Sequence, residues 1–292
     1  LITASYGGVV MAAKYDIRVM SRQEFDIAVG WAETEGWKPG IDDAECFYQT
    51  DPGGFLMGFL DGEPIASISA VKYSGGIGFI GFYIAKPEYR GRGYGYRLWQ
   101  AAMTSLQGYN VGLDGVPAQQ DNYRKSGFTL LWRNTRYGGP GGGEVPQNPD
   151  IIPATDVPIA MLEAFDRKFF PASRPSFLPL WISRPHNRAL ALMDGGKITG
   201  YGVIRECRSG CRIGPLFADN AAAAETLFVA LKAQVSADTS VFLDVPECNP
   251  AAVAMAKRHR MSPSFETARM YTGPLPAMEL TGIFGISSLE LG

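Results

Sequence analysis

The sequence predicts an α/β (α+β) fold of two successive halves, each a mixed, mostly antiparallel twisted sheet flanked by helices. Three observations carry this. Apolar runs rich in β-branched and aromatic residues meet at Asp61-Gly62 and again at Asp194-Gly195, the chemistry of tight hairpins. Helix-length segments alternate with those runs. Midway, the stretch Gly138 to Asp150 is glycine, proline and polar residues almost throughout, which reads as a linker. The expected division is residues 11–137, a linker at 138–150, and residues 151–292.

In the first half, Tyr15 to Val19 alternates and predicts a strand. Ser21 caps the next helix, with Glu24 three residues on completing a capping box. That helix runs to about Glu35 and breaks at Gly36 and Pro39-Gly40. Asp42 or Asp43 opens a short helix through Tyr48, which Asp51-Pro52-Gly53-Gly54 ends. Phe55 to Leu60, Ile65 to Tyr73 and Ile77 to Ile84 are three antiparallel strands. Then come a helix from Gly93 to Leu106, a short strand from Asn110 to Leu113, a short helix from Asp121 to Ser126, and one or two closing strands from Phe128 to Tyr137.

The second half repeats the pattern in weaker form. Asp156 to Phe165 and Arg174 to Ile182 predict helices, and Ala189 to Met193 with Ile198 to Ile204 a hairpin. Cys211 to Leu216 is a strand, Ala221 to Val235 a helix, Val241 to Asp244 a strand and Asn249 to Arg260 a helix.

Composition narrows the function classes. An apolar share of 46% with 19% charge describes a folded chain. A net charge of −2 argues against a nucleic-acid partner. The cysteines Cys46, Cys207, Cys211 and Cys248 are scattered, and the histidines are His186 and His259. That is a poor zinc set, so no metal is expected and reduced thiols are. No apolar stretch reaches membrane-spanning length, and Leu1 to Val10 lacks the pattern of a signal peptide. These features point to the cytoplasm and to no membrane partner. Met11 is a candidate natural start, which would make residues 1–10 an extension.

The most informative segment is Tyr83 to Gly95. An apolar run stops at Pro87, and Gly91, Gly93 and Gly95 then alternate with Arg90, Arg92 and Tyr94 before a helix begins. A strand, a glycine turn and a helix N-terminus offer backbone N–H groups to an anion, and arginine forks suit phosphate. The spacing fits neither the dinucleotide fingerprint nor a Walker-type loop. Arg90-x-x-Gly93-x-Gly95 resembles the pyrophosphate-binding signature of the GNAT (Gcn5-related N-acetyltransferase) superfamily. Asp121 to Phe128 resembles that family's tyrosine-bearing helix ending in Gly-Phe, and the order of elements agrees over the whole first half. The second half resembles a degenerate GNAT domain, expected to be structural or acceptor-shaping: Gly214 to Asn220 lacks the arginine and paired glycines, and Asp219 opposes an anion.

The resemblance implies an N-acetyltransferase that moves an acetyl group from acetyl-coenzyme A (acetyl-CoA) to a primary amine in a ternary complex. A non-catalytic acyl-CoA sensor or scaffold is the alternative. It also implies a cofactor site in which pantetheine pairs with the backbone of Phe82, Tyr83 and Ile84. The turn from Arg90 through Gly91, Arg92, Gly93, Tyr94 and Gly95 would hold the pyrophosphate, with Asn122 a further pantetheine contact or a helix cap. Tyr123 is the candidate general acid, since a phenol with pKa about 10 suits a thiol leaving group. A lysine-like amine is neutral roughly once in 2,500 molecules at pH 7, so a base or water relay is needed. The predicted central strand supplies no acid, and Asp114 is the candidate. Glu35, Trp37 and Asp43 are candidate acceptor contacts. A small-molecule or peptide amine is the expected partner of a monomer or homodimer.

Overall fold

A computed structural model describes residues 13–292; the expectations on residues 1–10 and Met11 lie outside the described residues. The first half supplies strands β1 (Tyr15–Val19), β2 (Phe55–Leu60), β3 (Glu63–Tyr73), β4 (Ile77–Ala85), β5 (Asn110–Gly115) and β6 (Thr129–Pro140). Its helices are α1 (Arg22–Thr34), α2 (Asp43–Thr50), α3 (Tyr94–Ser105) and α4 (Gln120–Lys125). The second half supplies β7 (Ile151–Pro153), β8 (Asn187–Asp194), β9 (Lys197–Glu206), β10 (Cys211–Ala218), β11 (Ser240–Pro246), β12 (Ser262–Tyr271) and β13 (Ile283–Gly285). Its helices are α5 (Ile159–Asp166), α6 (Leu178–Ser183), α7 (Ala221–Lys232) and α8 (Pro250–Arg258).

Local signals set the helix starts. The Glu24 N–H donates to the Ser21 hydroxyl at 3.2 Å, and the Ser21 N–H donates back to the Glu24 carboxylate at 2.8 Å, the reciprocal capping box. Asn220 starts α7 by accepting the Ala223 N–H at 2.9 Å.

The strands form one continuous sheet in the order β1-β2-β3-β4-β5-β12-β6-β11-β10-β9-β8-β7, with β13 added on β10. This places the first three residues of the expected linker in a strand. The second half's β12 pairs antiparallel with both β5 and β6, while the first half's β6 also pairs antiparallel with β11. The boundary falls inside β6, where Gly138, Gly139 and Pro140 lie opposite Phe242, Val241 and Ser240. Those glycines are packing choices rather than linker residues. A Cβ on Gly138 would stand 3.0 Å from the Phe242 ring, and one on Gly139 would stand 3.0 Å from Met261.

Three apolar cores flank this sheet. One packs α3 and α4 residues such as Leu98, Trp99 and Tyr123 on the first half, and another packs α7 and α8 on the second. The largest is shared: Phe25 and Phe47 of α1 and α2 belong to the same cluster as Trp181 of α6 and Leu289 and Leu291 beyond β13. Ion pairs cross the same ground. Arg205 of β9 is paired with Asp43 of α2, and Arg136 of β6 with Asp244 of β11 at 2.7 Å.

Candidate active site

The site begins where β4 leaves β5. The two strands pair in parallel only from Ile77–Asn110 to Ile80–Leu113. Past that point β4 bulges: its register with β3 shifts between Ser67–Ile84 and Ser69–Gly81. Phe82, at φ 45°, takes the turn, a left-handed conformation unfavourable to a bulky side chain. Packing holds it there. The Phe82 ring is fully buried, 5.0 Å from Phe25 and 5.9 Å from Phe47 between centroids. The Ser67 hydroxyl donates to its carbonyl at 2.8 Å. The backbone from Gly81 to Ala85 therefore edges a cleft of about 490 Å³ instead of a neighbouring strand.

The glycine turn closes one end of this cleft. Gly91 and Gly93 sit at φ 73° and 84°, where a side chain would be strained. The α3 ladder begins with the Arg97 N–H donating to the Gly93 carbonyl at 3.1 Å. Among the described residues the N–H groups from Gly91 to Tyr96 have no backbone acceptor, and the positive end of the helix faces the same way. Gly95 lets α3 approach β4, since a Cβ there would stand 3.1 Å from the Tyr83 hydroxyl. The two arginines differ. Arg90 is tied down, donating to the Ala85 carbonyl at 2.8 Å and paired with Glu35. Arg92 is exposed, with its guanidinium resting 5.6 and 5.5 Å from the Tyr89 and Tyr94 ring centroids, and is the more available cation. The whole arrangement fits a diphosphate.

Tyr123 lies in the wall of the cleft. Its ring is stacked at a tilt on Trp99, 5.6 Å between centroids, and its Cε2 would stand only 2.2 Å from a Cβ on Gly115. The missing side chain at Gly115 is what admits the tyrosine. Burial, with a smaller contribution from Tyr83, pushes the phenol well above its ordinary pKa, so the group keeps its proton at working pH.

The other expected site residues divide. Glu35 and Trp37 line the cleft, Glu35 through the contact with Arg90. Asp43 does not: it is 1% exposed, ion-paired with Arg205 and accepting the Gly40 N–H at 2.8 Å. It is an inter-half contact rather than an acceptor contact. Asn122 is exposed and donates to Gln119 at 2.7 Å, outside the cleft lining. Asp114 lines the cleft but is already engaged. It accepts two bonds from Arg269 at 2.8 and 2.6 Å and one from Asn134 at 2.7 Å, which leaves little to serve as a base. Burial raises its pKa, and Arg269 only partly offsets that.

The second half, expected to be structural or acceptor-shaping, contributes residues that the sequence did not single out. Phe265 and Thr267 of β12 and Leu289 and Glu290 beyond β13 complete the cleft. A Cβ on Gly81 would stand 2.0 Å from the Glu290 carbonyl oxygen, so Gly81 is the sequence trace of that crossing. Among the described residues there is no cluster of three or more His, Cys, Asp or Glu side chains able to hold a metal, and no helix is long and apolar enough to cross a membrane.

Comparison with known proteins agrees with this geometry. Residues 20–128 match the acetyltransferase (GNAT) family, and residues 162–285 match an acetyltransferase (GNAT) domain. The holothin acyltransferase of Pseudoalteromonas sp. (strain SANK 73390) is 35% identical over 93% of this chain and 92% of its own length. The chain belongs to the GNAT superfamily, with two GNAT domains. It is a GNAT-type acyltransferase. Solved structures share the fold. A putative acetyltransferase from Pyrococcus horikoshii aligns with a TM-score of 0.82 at 20% identity, over 99% of each chain. A tandem GNAT protein from the clavulanic acid biosynthesis pathway aligns with a TM-score of 0.59 at 11% identity, over 90% of this chain and 100% of its own. In this GNAT protein the parting of β4 from β5 sits beside the glycine turn.

Proposed function

We propose that this GNAT enzyme transfers an acetyl group from acetyl-CoA to a primary amine of a small-molecule or peptide acceptor, by direct attack in a ternary complex. The observation that carries this is the meeting of three features in one cleft: unpaired β4 backbone, the free N-terminal turn of α3, and the Tyr123 phenol. The N–H groups at Gly91 to Tyr96, with Arg92, bind the diphosphate. Backbone groups from Gly81 to Ala85 hold the pantetheine arm and stabilise charge on the acyl oxygen. Acetyl-CoA supplies the activated acyl group and a thiol as leaving group. Tyr123 gives its proton to the departing sulfur. The burial that raises the phenol pKa also disfavours a bare thiolate, so donor and leaving group remain matched.

The likeness to holothin acyltransferase extends over nearly the whole chain and supports a small-molecule acceptor, with holothin the first to assay. The four cysteines are free, three of them buried, which fits a reducing compartment such as the cytoplasm. The test is thiol release from acetyl-CoA with a panel of amines beginning with holothin. Release that depends on the amine is expected. Tight acetyl-CoA binding with no release for any amine would overturn the transferase in favour of an acyl-CoA sensor.

A further inference from the structure

The acetyl-transfer reading lacks a partner for the acceptor nitrogen, and two side-chain oxygens of the second half are left without partners of their own. Glu290 lines the cleft at 2% exposure. One carboxylate oxygen, Oε1, accepts from Arg212 Nη1 at 3.2 Å, while the other, Oε2, is buried with no hydrogen-bond partner. Thr267 also lines the cleft at 2% exposure, and its hydroxyl Oγ1 is buried with no partner. Buried polar atoms without partners are rare and costly, so two on the lining of one cleft mark a place where a ligand's polar group belongs.

We infer that Glu290 receives the acceptor amine. Its Oε2 and the Thr267 hydroxyl take the N–H bonds of the acceptor, and Oε2 takes the proton that the nitrogen sheds. This rests on the acetyl-transfer reading and supplies the base that reading lacks. The surroundings hold the Glu290 carboxylate in place through Arg212. Arg212 also donates to Asp244 at 2.7 Å and to the Trp37 carbonyl at 3.4 Å, and Arg136 pairs with Asp244. Two arginines and two carboxylates balance in this buried group, in which Arg212 joins the Glu290 carboxylate to the carbonyl of Trp37, itself a wall of the cleft. Asp114 cannot play this part, because Arg269 and Asn134 occupy both its oxygens.

In the step, the nitrogen lone pair forms a C–N bond to the acyl carbon and the C–S bond breaks. Sulfur keeps the bonding pair and takes the Tyr123 proton, while the nitrogen's proton passes to Glu290 Oε2. Exchange with solvent returns Tyr123 and Glu290 to their starting forms.

The test uses benzylamine as the probe amine, with binding and turnover read separately. Calorimetry with chain saturated in coenzyme A should show benzylamine affinity falling about tenfold or more in Glu290→Gln, as for loss of a hydrogen bond to a charged group. Thr267→Val, which removes no internal bond, should weaken it about threefold or more. Coenzyme A affinity should be the same in all three proteins, which also shows that each has folded. Amine-dependent thiol release by Glu290→Gln should fall about 10²-fold or more. Equal benzylamine affinity in wild type and Glu290→Gln, no benzylamine binding to wild type, or turnover in Glu290→Gln within about threefold of wild type overturns the assignment. Wild type that binds coenzyme A and benzylamine yet releases no thiol from acetyl-CoA with benzylamine or with any amine of the panel overturns the transferase reading alone.

Discussion

In the first half β4 leaves β5 after Ile80, and the opening is a cleft; in the second β10 leaves β11 after Ile213, and the opening holds β13. There Leu216 and Phe217 of β10 pair with Gly285 and Ile283, and the Ile286 N–H donates to the Asp244 carbonyl at 3.0 Å. The helix that follows each opening differs in the same sense. α3 presents free N–H groups behind a glycine turn, whereas α7 is capped by Asn220 and preceded by Asp219, which Lys168 pairs at 2.9 Å. One opening is available to a ligand and the other is satisfied by the chain itself. The segment that fills the second continues to Glu290 at the wall of the first, crossing Gly214 and then Gly81. The second half thus serves the first as a supplier of β12 and of the 283–292 segment.

Four changes break or sharpen this contrast. The largest effect is expected from Arg212→Met, which strips the salt bridge from Glu290 and one of two from Asp244. Breaking a buried pair from one side costs about 3–5 kcal/mol, read as a lowered urea midpoint; an unchanged midpoint would mean the network holds nothing together. Next, Tyr123→Phe should lower kcat at least about 10²-fold with acetyl-CoA affinity unchanged, since the phenol bonds no described residue. Turnover within about twofold would remove Tyr123 from the chemistry.

Third, Gly81→Ala and Gly214→Ala each place a methyl against backbone, 2.0 Å from the Glu290 oxygen in one case and 2.6 Å from that of Ile286 in the other. Each should cost about 1–3 kcal/mol, and only Gly81→Ala should also impair acyl transfer, because only that crossing borders the open cleft. Equal loss of transfer in both would erase the distinction. The smallest effect is with pH. Burial opposes the Asp244 charge, but Arg136 and Arg212 outweigh it and hold the carboxyl well below the usual carboxylate range. Its folded pKa lies below an unfolded value of about 3.9, so its stabilisation is complete well above about pH 4 and fades as pH falls through and below that value. The acid fall in urea midpoint should be shallower in Asp244→Asn than in wild type.

The open half was legible in sequence because its signals are local. The capping box at Ser21, the hairpin at Asp61-Gly62, the glycine turn and the tyrosine-bearing helix each depend on neighbours a few residues away. What escaped is long-range. β12 reads poorly as a central strand, since Pro263, Glu266 and Arg269 interrupt its apolar run, and Arg269 is buried only because Asp114 waits across the ladder. Asp43 looks like a surface charge until Arg205 arrives from β9. Gly138 to Pro140 look like a linker until the side chains of Phe242 and Met261 fill the space beside the glycines. The route of residues 283–292 leaves traces only at Gly81 and Gly214, glycines whose purpose shows when the crossing backbone is seen.

A single coenzyme site per chain, in the open half alone, is tested most directly by calorimetric titration with acetyl-CoA. Wild type should bind one molecule per chain, Gly93→Asp should lose that binding while keeping its fold, and Asp219→Gly should neither lose it nor gain a second. Two molecules bound by wild type, or undiminished affinity in Gly93→Asp, would contradict the assignment.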